Sequence, residues 1–251
     1  MDNNNSNIKK YIVVSTNNNP DYYFYLPYIE KAWATYGWDL CVMLTHDVDV
    51  NRLEVNRKET LLCVFPRVDE LRTETVAQAS RLYASHYLPK DALIMTSDMD
   101  LLPLTNYWNP NPNEVTNYGH DLTGHSFFPM GYTAMLGSRW VEVMRLTHDQ
   151  KADMLRDAHE FKIAFSEDWE KWWNHDWTVL TDRLRVVPVT SIERGKRPDG
   201  VFAKGRIDRG DSMKLIPRED WIDAHCENHN VKHPDKLNRF LHIFETVYGK
   251  L

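Results

Sequence analysis

The chain has 251 residues, 42% hydrophobic and 12% aromatic, with a formal net charge of −6. That is enough apolar material for one sizeable core, and an acidic balance without a basic stripe argues against a nucleic-acid partner. No apolar stretch approaches the roughly 20 residues that a membrane-spanning helix needs, so no integral membrane segment is expected.

Residues 1–9 are polar and Asn-rich with no apolar signal core, which predicts a disordered leader ahead of one domain over residues 10–251. Cys41, Cys63 and Cys226 lack metal-type spacing and read as free thiols of a reducing compartment. The protein is therefore expected in the cytosol or facing it, at most peripheral to a membrane.

In chain order, residues 11–15 (YIVVS) form a β-branched and aromatic strand that runs into the polar stretch Thr16-Asn17-Asn18-Asn19-Pro20. Residues 22–36 read as a helix with an aromatic face, stopped by Gly37. Residues 40–44 and 61–65 are further strands. Residues 73–88 read as a helix with Val76, Ala79, Ser80, Tyr83 and Tyr87 on one stripe, ended by Pro89. Residues 93–97 make the next strand. Strand and helix in alternation predict a largely parallel sheet flanked by helices. Residues 105–118, rich in Asn and Pro, read as loop. An edge strand is expected at 126–130 and a helix near 138–147. A Trp-rich helical stretch follows, then a strand at 185–189 and a Gly-, Arg- and Asp-rich mobile loop at 191–212. A His-rich segment and a helix over 236–248 end the chain.

The most informative stretch is Asp91-Ala92-Leu93-Ile94-Met95-Thr96-Ser97-Asp98-Met99-Asp100, an apolar strand that runs into two carboxylates. Residues i and i+2 of a strand point the same way, so Asp98 and Asp100 are expected to converge at its carboxyl end, where open α/β sheets bind ligands. Two convergent carboxylates suit a hard cation such as Mg²⁺ or Mn²⁺, and that cation suits a diphosphate. On a helical wheel the Trp-rich stretch places Trp169, Trp172, Trp173, Leu180 and Leu184 on one face, with Asp176 among them and Asp182 opposite. A carboxylate on an apolar face needs a partner or a task, and burial raises its pKa and makes it a better base. Arg81 falls off the apolar stripe of its own helix, roughly 140° from Val76, and so is free to reach the sheet end or solvent.

The Arg-bearing helix Thr75-Val76-Ala77-Gln78-Ala79-Ser80-Arg81-Leu82, followed by the apolar strand, Asp98-Met99-Asp100 and Leu101-Leu102-Pro103-Leu104, resembles nucleotide-sugar-dependent glycosyltransferases of the GT-A fold. The resemblance runs over roughly residues 11–229 and is strongest over 75–104. It implies a single α/β domain with a mostly parallel, Rossmann-like central sheet. The implied substrates are a nucleoside-diphosphate-sugar, with a UDP-sugar as the family default, and a glycan acceptor hydroxyl. The implied cofactor is Mn²⁺ or Mg²⁺.

By the same resemblance Asp100 holds the metal directly, Asp98 touches the metal, the ribose or both, and His225 completes the site, with His229 in reserve. Arg81 would meet the donor phosphate or an Asp of the pair. Ser15, Thr16 and Asn17, at the end of the first strand, and Ser97 would lie against the nucleotide. Residues 127–134 would line the donor-sugar pocket, where Gly131 permits close backbone approach. Asp176, in the context Asp176-Trp177-Thr178-Val179-Leu180-Thr181, would be the base of an inverting reaction, with Asp168 second. The tryptophans are candidates for stacking on acceptor sugars. The loop with Arg194, Lys196, Arg197, Lys204, Arg206 and Arg209 is a candidate to close over the diphosphate.

Rival readings fit less well. A phosphatase with an Asp-x-Asp nucleophile wants the pair after its first strand, and a sugar nucleotidyltransferase wants a Gly-rich loop there; Thr16-Asn17-Asn18-Asn19-Pro20 has no Gly. A carbohydrate-binding module needs no acidic pair. A retaining transferase without a protein base, or a catalytically degenerate relative, keeps the same fold.

Overall fold

The computed structural model describes residues 8–56, 58–163, 168, 173–197, 203–209, 221–226 and 233–251. A seven-stranded sheet in the order β3-β2-β1-β4-β7-β6-β8 forms the centre. Its strands are β1 (Lys10–Thr16), β2 (Asp39–Leu44), β3 (Leu61–Val64), β4 (Leu93–Thr96), β6 (Thr116–Tyr118), β7 (Thr133–Leu136) and β8 (Thr190–Ile192). All neighbours pair in parallel except β7, which runs antiparallel to both β4 and β6. A small second sheet joins β5 (Leu101–Pro103), β10 (Asp223–His225) and β9 (Arg206–Ile207), in the order β5-β10-β9.

The inner strands β1, β2 and β4 are buried on both faces, which is why they read as continuous apolar runs rather than alternating ones. Ile12, Val14, Val42 and Met95 face one core, built with α2 (Leu26–Thr35) and the last helix, α7 (Pro234–Tyr248). Val13, Cys41, Met43 and Ile94 face the other, built with α3 (Thr73–Ser80), α4 (Gly137–Val143), α5 (Gln150–Glu160) and α6 (His175–Leu184). Phe240 and Phe244 are the buried residues of α7, and Phe240 meets Tyr25 edge-to-face at 4.9 Å. Among the described residues no helix is long and apolar enough to cross a membrane.

Several expectations are corrected. The aromatic helix is two pieces, α1 (Pro20–Tyr23) and α2, and it does end at Gly37, whose φ of 76° is a left-handed stop. The helix expected over 73–88 becomes a 3-10 turn at Arg81–His86. Residues 126–130 form no strand. The strand is β7, three residues later and inside the sheet, where its amides are paired on both sides. The strand expected at 185–189 is β8, at Thr190–Ile192, and the expected loop over 105–118 ends in β6. Helix α5 carried no expectation. Helix α6 begins at His175, so Trp173 lies before it and is 39% exposed, whereas Asp176, Leu180 and Leu184 are buried as the wheel predicts. Trp169, Trp172, His229 and residues 1–7 of the expected leader lie outside the described residues; Lys9, in the same leader, accepts a backbone hydrogen bond from Leu93 at 2.9 Å.

Candidate active site

The site lies at the carboxyl ends of β1 and β4. Strand β4 ends at Thr96, and Ser97 donates its amide to Val13 of β1 at 2.8 Å. The acidic pair is therefore not on the strand. Asp98 and Asp100 sit on the turn into β5, where the amide of Leu101 closes on the carbonyl of Asp98 at 3.2 Å. Strand alternation does not make them converge, and each faces a different arginine.

Asp98 is held by Arg81. The 3-10 turn swings this arginine off the helical projection and inward, leaving its side chain 5% exposed. A buried guanidinium must have its donors satisfied. Here Nε donates to the carbonyl of Gln78 at 3.1 Å, one terminal nitrogen donates to the carbonyl of Ser97 at 2.7 Å and to the Asp98 carboxylate, and the other donates to Asp176 at 2.7 Å. Arg81 thus bridges the turn to the first turn of α6. Burial pushes the Asp98 carboxyl up, but the Arg81 charge outweighs it and holds the group below the usual carboxylate range. For Asp176 the balance reverses: burial, with Asp98 adding, outweighs Arg81, and its pKa is raised to about 6.

Asp100 is placed against His225 by strand register. Strand β10 pairs antiparallel with β5, with His225 opposite Leu101, and the ladder continues as Cys226 donates to the carbonyl of Asp100 at 2.8 Å. His225 Nε2 lies 3.7 Å from Asp100 Oδ2, and its Nδ1 lies 3.2 Å from Asp208 Oδ1. A carboxylate on Nδ1 fixes the tautomer that leaves the Nε2 lone pair facing Asp100, the usual support of a metal-binding histidine. Carboxylate oxygens and an imidazole nitrogen suit Mn²⁺ or Mg²⁺ by chemistry. Among the described residues, however, no three acidic, His or Cys side chains stand close enough to hold a metal ion as they are. Asp98 turns to Arg81, while Asp100 and His225 share Arg209, which bonds Asp100 and lies 2.7 Å from His225 Nε2.

The expected nucleotide residues lie at this end. Val13 is in register with Thr96, so Ser15, Thr16 and Asn17 run on alongside Ser97 and Asp98; Thr16 is buried and its hydroxyl donates to the carbonyl of Asn17 at 2.9 Å. Gly131 packs against the turn: a Cβ there would lie 3.3 Å from Asp98 Oδ2 and 3.1 Å from Leu101 Cδ1. The next residue, Tyr132, adopts a left-handed φ of 72° and stacks on Trp108 at 3.7 Å, which steers the chain from Gly131 into β7.

The basic loop is not free to close as a unit. Arg194 and Arg206 both bind Asp223, at 3.0 and 2.7 Å, and tie β9 and the segment after β8 to β10. Asp168, the second candidate base, is exposed. The residues that sequence reasoning missed are Asp208 and the specific place of Arg209, both brought in by pairing in the small sheet.

By sequence, the chain matches no protein-family model and no curated protein. By structure, the galactosyltransferase LgtC, solved with donor and acceptor sugar analogs, aligns over 94% of this chain and 95% of its own with a TM-score of 0.52 at 13% identity. An active-site mutant of LgtC aligns at 0.51. The fold is that of the GT-A glycosyltransferases. The glycosyltransferase GlyE of Streptococcus pneumoniae TIGR4 aligns over 74% of this chain and 46% of its own, at 13% identity and a TM-score of 0.46, so this GT-A chain spans under half of its length.

Proposed function

We propose that this GT-A chain transfers a sugar from a nucleoside-diphosphate-sugar, a UDP-sugar by default, to a hydroxyl of a glycan. The observation that carries the reading is the register that sets His225, already oriented by Asp208, beside Asp100 on the turn after β4. Asp100 and His225, joined by Asp98, would hold Mn²⁺ or Mg²⁺. When bound, that ion acts as a Lewis acid for the diphosphate leaving group. Ser15, Thr16, Asn17 and Ser97 would lie against the nucleoside, and the close approach of Gly131 to Asp98 supports its place in the lining of the donor-sugar pocket.

Asp176 has two readings. A carboxyl with a pKa of about 6 is suited to deprotonate an acceptor hydroxyl, which would give inversion. Its side chain is only 3% exposed and is engaged by Arg81, however, and this favours a positioning role in a retaining transferase that needs no protein base. The anomeric configuration of the first-formed product, read by NMR, separates the two. Asp176→Asn adds a second readout. A lost base lowers kcat by roughly 10²–10⁴-fold with donor binding intact; a lost positioning contact raises the donor KM as well.

The reading as a whole is tested by thermal shift with nucleoside diphosphates and nucleotide sugars, each with Mn²⁺ and with EDTA. A ligand that binds the folded state raises the Tm. A metal-dependent shift for one nucleotide supports the proposal and identifies the base. No shift for any of them, with metal present, would move the assignment to a degenerate, non-catalytic relative.

A further inference from the structure

Arg81, Arg194 and Arg206 pair with carboxylates that hold the fold together. Arg209 is different. Its Nε is anchored on the carbonyl of Cys226 at 2.8 Å, and one terminal nitrogen sits on both Asp100 Oδ2 and His225 Nε2, with the side chain 33% exposed. The hydrogen-bond chemistry is self-consistent. Asp208 takes the proton of Nδ1, so Nε2 presents a lone pair, and the guanidinium fills it.

From this geometry we propose that Arg209 is a built-in occupant of the cation position, a side chain that a divalent ion must displace to reach Asp100 and His225. This rests on the metal-dependent reading of the site and goes beyond it, because it names the side chain that competes with the ion for Asp100 and His225. The contact has a physical reason. Asp100 is a carboxylate only 4% exposed, and a buried charge is costly unless it is paired. A guanidinium on a tether supplies the partner charge, and its partial exposure makes exchange with an incoming ion possible. The affinity for metal is then the difference between two cations rather than the full strength of the ligands.

The test is Mn²⁺ binding without nucleotide, followed by calorimetry and by the loss of the free-ion EPR signal, for the natural protein, Arg209→Gln, Arg209→Lys and Asp100→Asn. Removing the competitor should tighten Mn²⁺ binding roughly tenfold in Arg209→Gln, the size of one charge-assisted hydrogen bond. Arg209→Lys, which keeps a positive charge but not the planar fork, should fall between. Asp100→Asn should bind Mn²⁺ more weakly than the natural protein. Equal or weaker binding by Arg209→Gln, with Asp100→Asn still impaired, overturns the proposal while leaving the metal site standing. Absence of binding to all four proteins overturns the metal reading and this proposal together. The Tm of each variant, read first, confirms that the compared proteins are folded.

Discussion

Two clusters of acid, arginine and histidine among the described residues have carboxylates that are partnered very differently. In the first, Asp153 and Asp157 stand one helical turn apart on α5, and every oxygen is used. Asp153 takes the amide of Thr147 at 2.8 Å, His86 at 3.1 Å and Arg156 at 2.9 Å. Asp157 takes Arg156 at 3.0 Å, Arg183 at 2.8 Å and the Tyr83 hydroxyl at 2.8 Å. Both acids are 1% exposed or less. In the second cluster Asp98 and Asp100 lie on a turn, Asp98 is 38% exposed at its side chain, and each acid leans on an arginine carried by a distant segment. The saturated cluster pins α5 and α6 to the 3-10 turn. Among the described residues the second has fewer partners per oxygen, and it lies at the sheet end where open α/β sheets bind ligands. Composition alone does not separate them; the number of partners per oxygen and the access of solvent do.

The comparison breaks first at Asp100. Asp100→Ala should lower donor turnover by roughly 10³-fold or more, about 4 kcal/mol of transition-state stabilisation, and shift the Tm by only about 2 °C. Steady-state kinetics and calorimetry on one preparation test both halves, and retained turnover would sink the site. Arg183→Met should do the reverse. It takes one of two arginines from Asp157, which has no exposure, and frees Glu160 from a 2.7 Å contact, so unfolding in urea should show about 3 kcal/mol less stability, while the folded fraction still binds nucleotide with metal.

Much of this arrangement was legible because it is local. Strands β1, β2 and β4 announce themselves as apolar runs buried on both faces, and the burial of Asp176 follows from a wheel over a helix that continues unbroken from His175. The misses are non-local. Strand β7 is four residues of mixed character, and the strand was expected at 126–130 because nothing within the segment shows that β4 and β6 flank it. His225 sits on a three-residue strand whose partner, β5, is more than a hundred positions earlier, and short strands carry no periodicity to detect. Arg81 reaches the sheet end and Asp98 as expected, but it does so buried in a 3-10 turn, where a projection of about 100° per residue no longer holds. Arg209 and Asp208 reach the site only through the pairing of β9 with β10, which no spacing reveals.

A pH titration sharpens the contrast from the structural side. His175 is fully buried, and among the described residues neither ring nitrogen has a hydrogen-bond partner. Burial lowers its pKa to about 4, with Asp157 opposing. The unfolded chain takes up the proton near the model value of 6.5, before the folded one does. Stability from this group is therefore complete above about pH 6.5 and lost as pH falls toward 4. Asp176, with its raised pKa, works in the opposite sense, so the informative quantity is a difference. His175→Phe removes the titration, and the natural protein should lose about 2–3 kcal/mol more than the variant between pH 7 and 4.5. Parallel curves would mean that the ring is solvated or partnered.

The smallest effect is expected where the two kinds of constraint meet, at Gly131. A methyl group there comes within 3.3 Å of Asp98 Oδ2 and 3.1 Å of Leu101 Cδ1, close enough that the neighbours must give by a few tenths of an ångström. Leu101 is buried and cannot yield freely, whereas the Asp98 side chain is partly exposed and can. Gly131→Ala should therefore cost only about 1 kcal/mol of stability. Its larger consequence falls on the carboxylate that moves, with the KM for nucleotide sugar rising roughly two- to fivefold, or less than 1 kcal/mol, at nearly constant kcat. A Tm loss with an unchanged KM would show that the strain goes into Leu101 and the core instead, and that Gly131 serves the packing of β5 rather than the donor pocket.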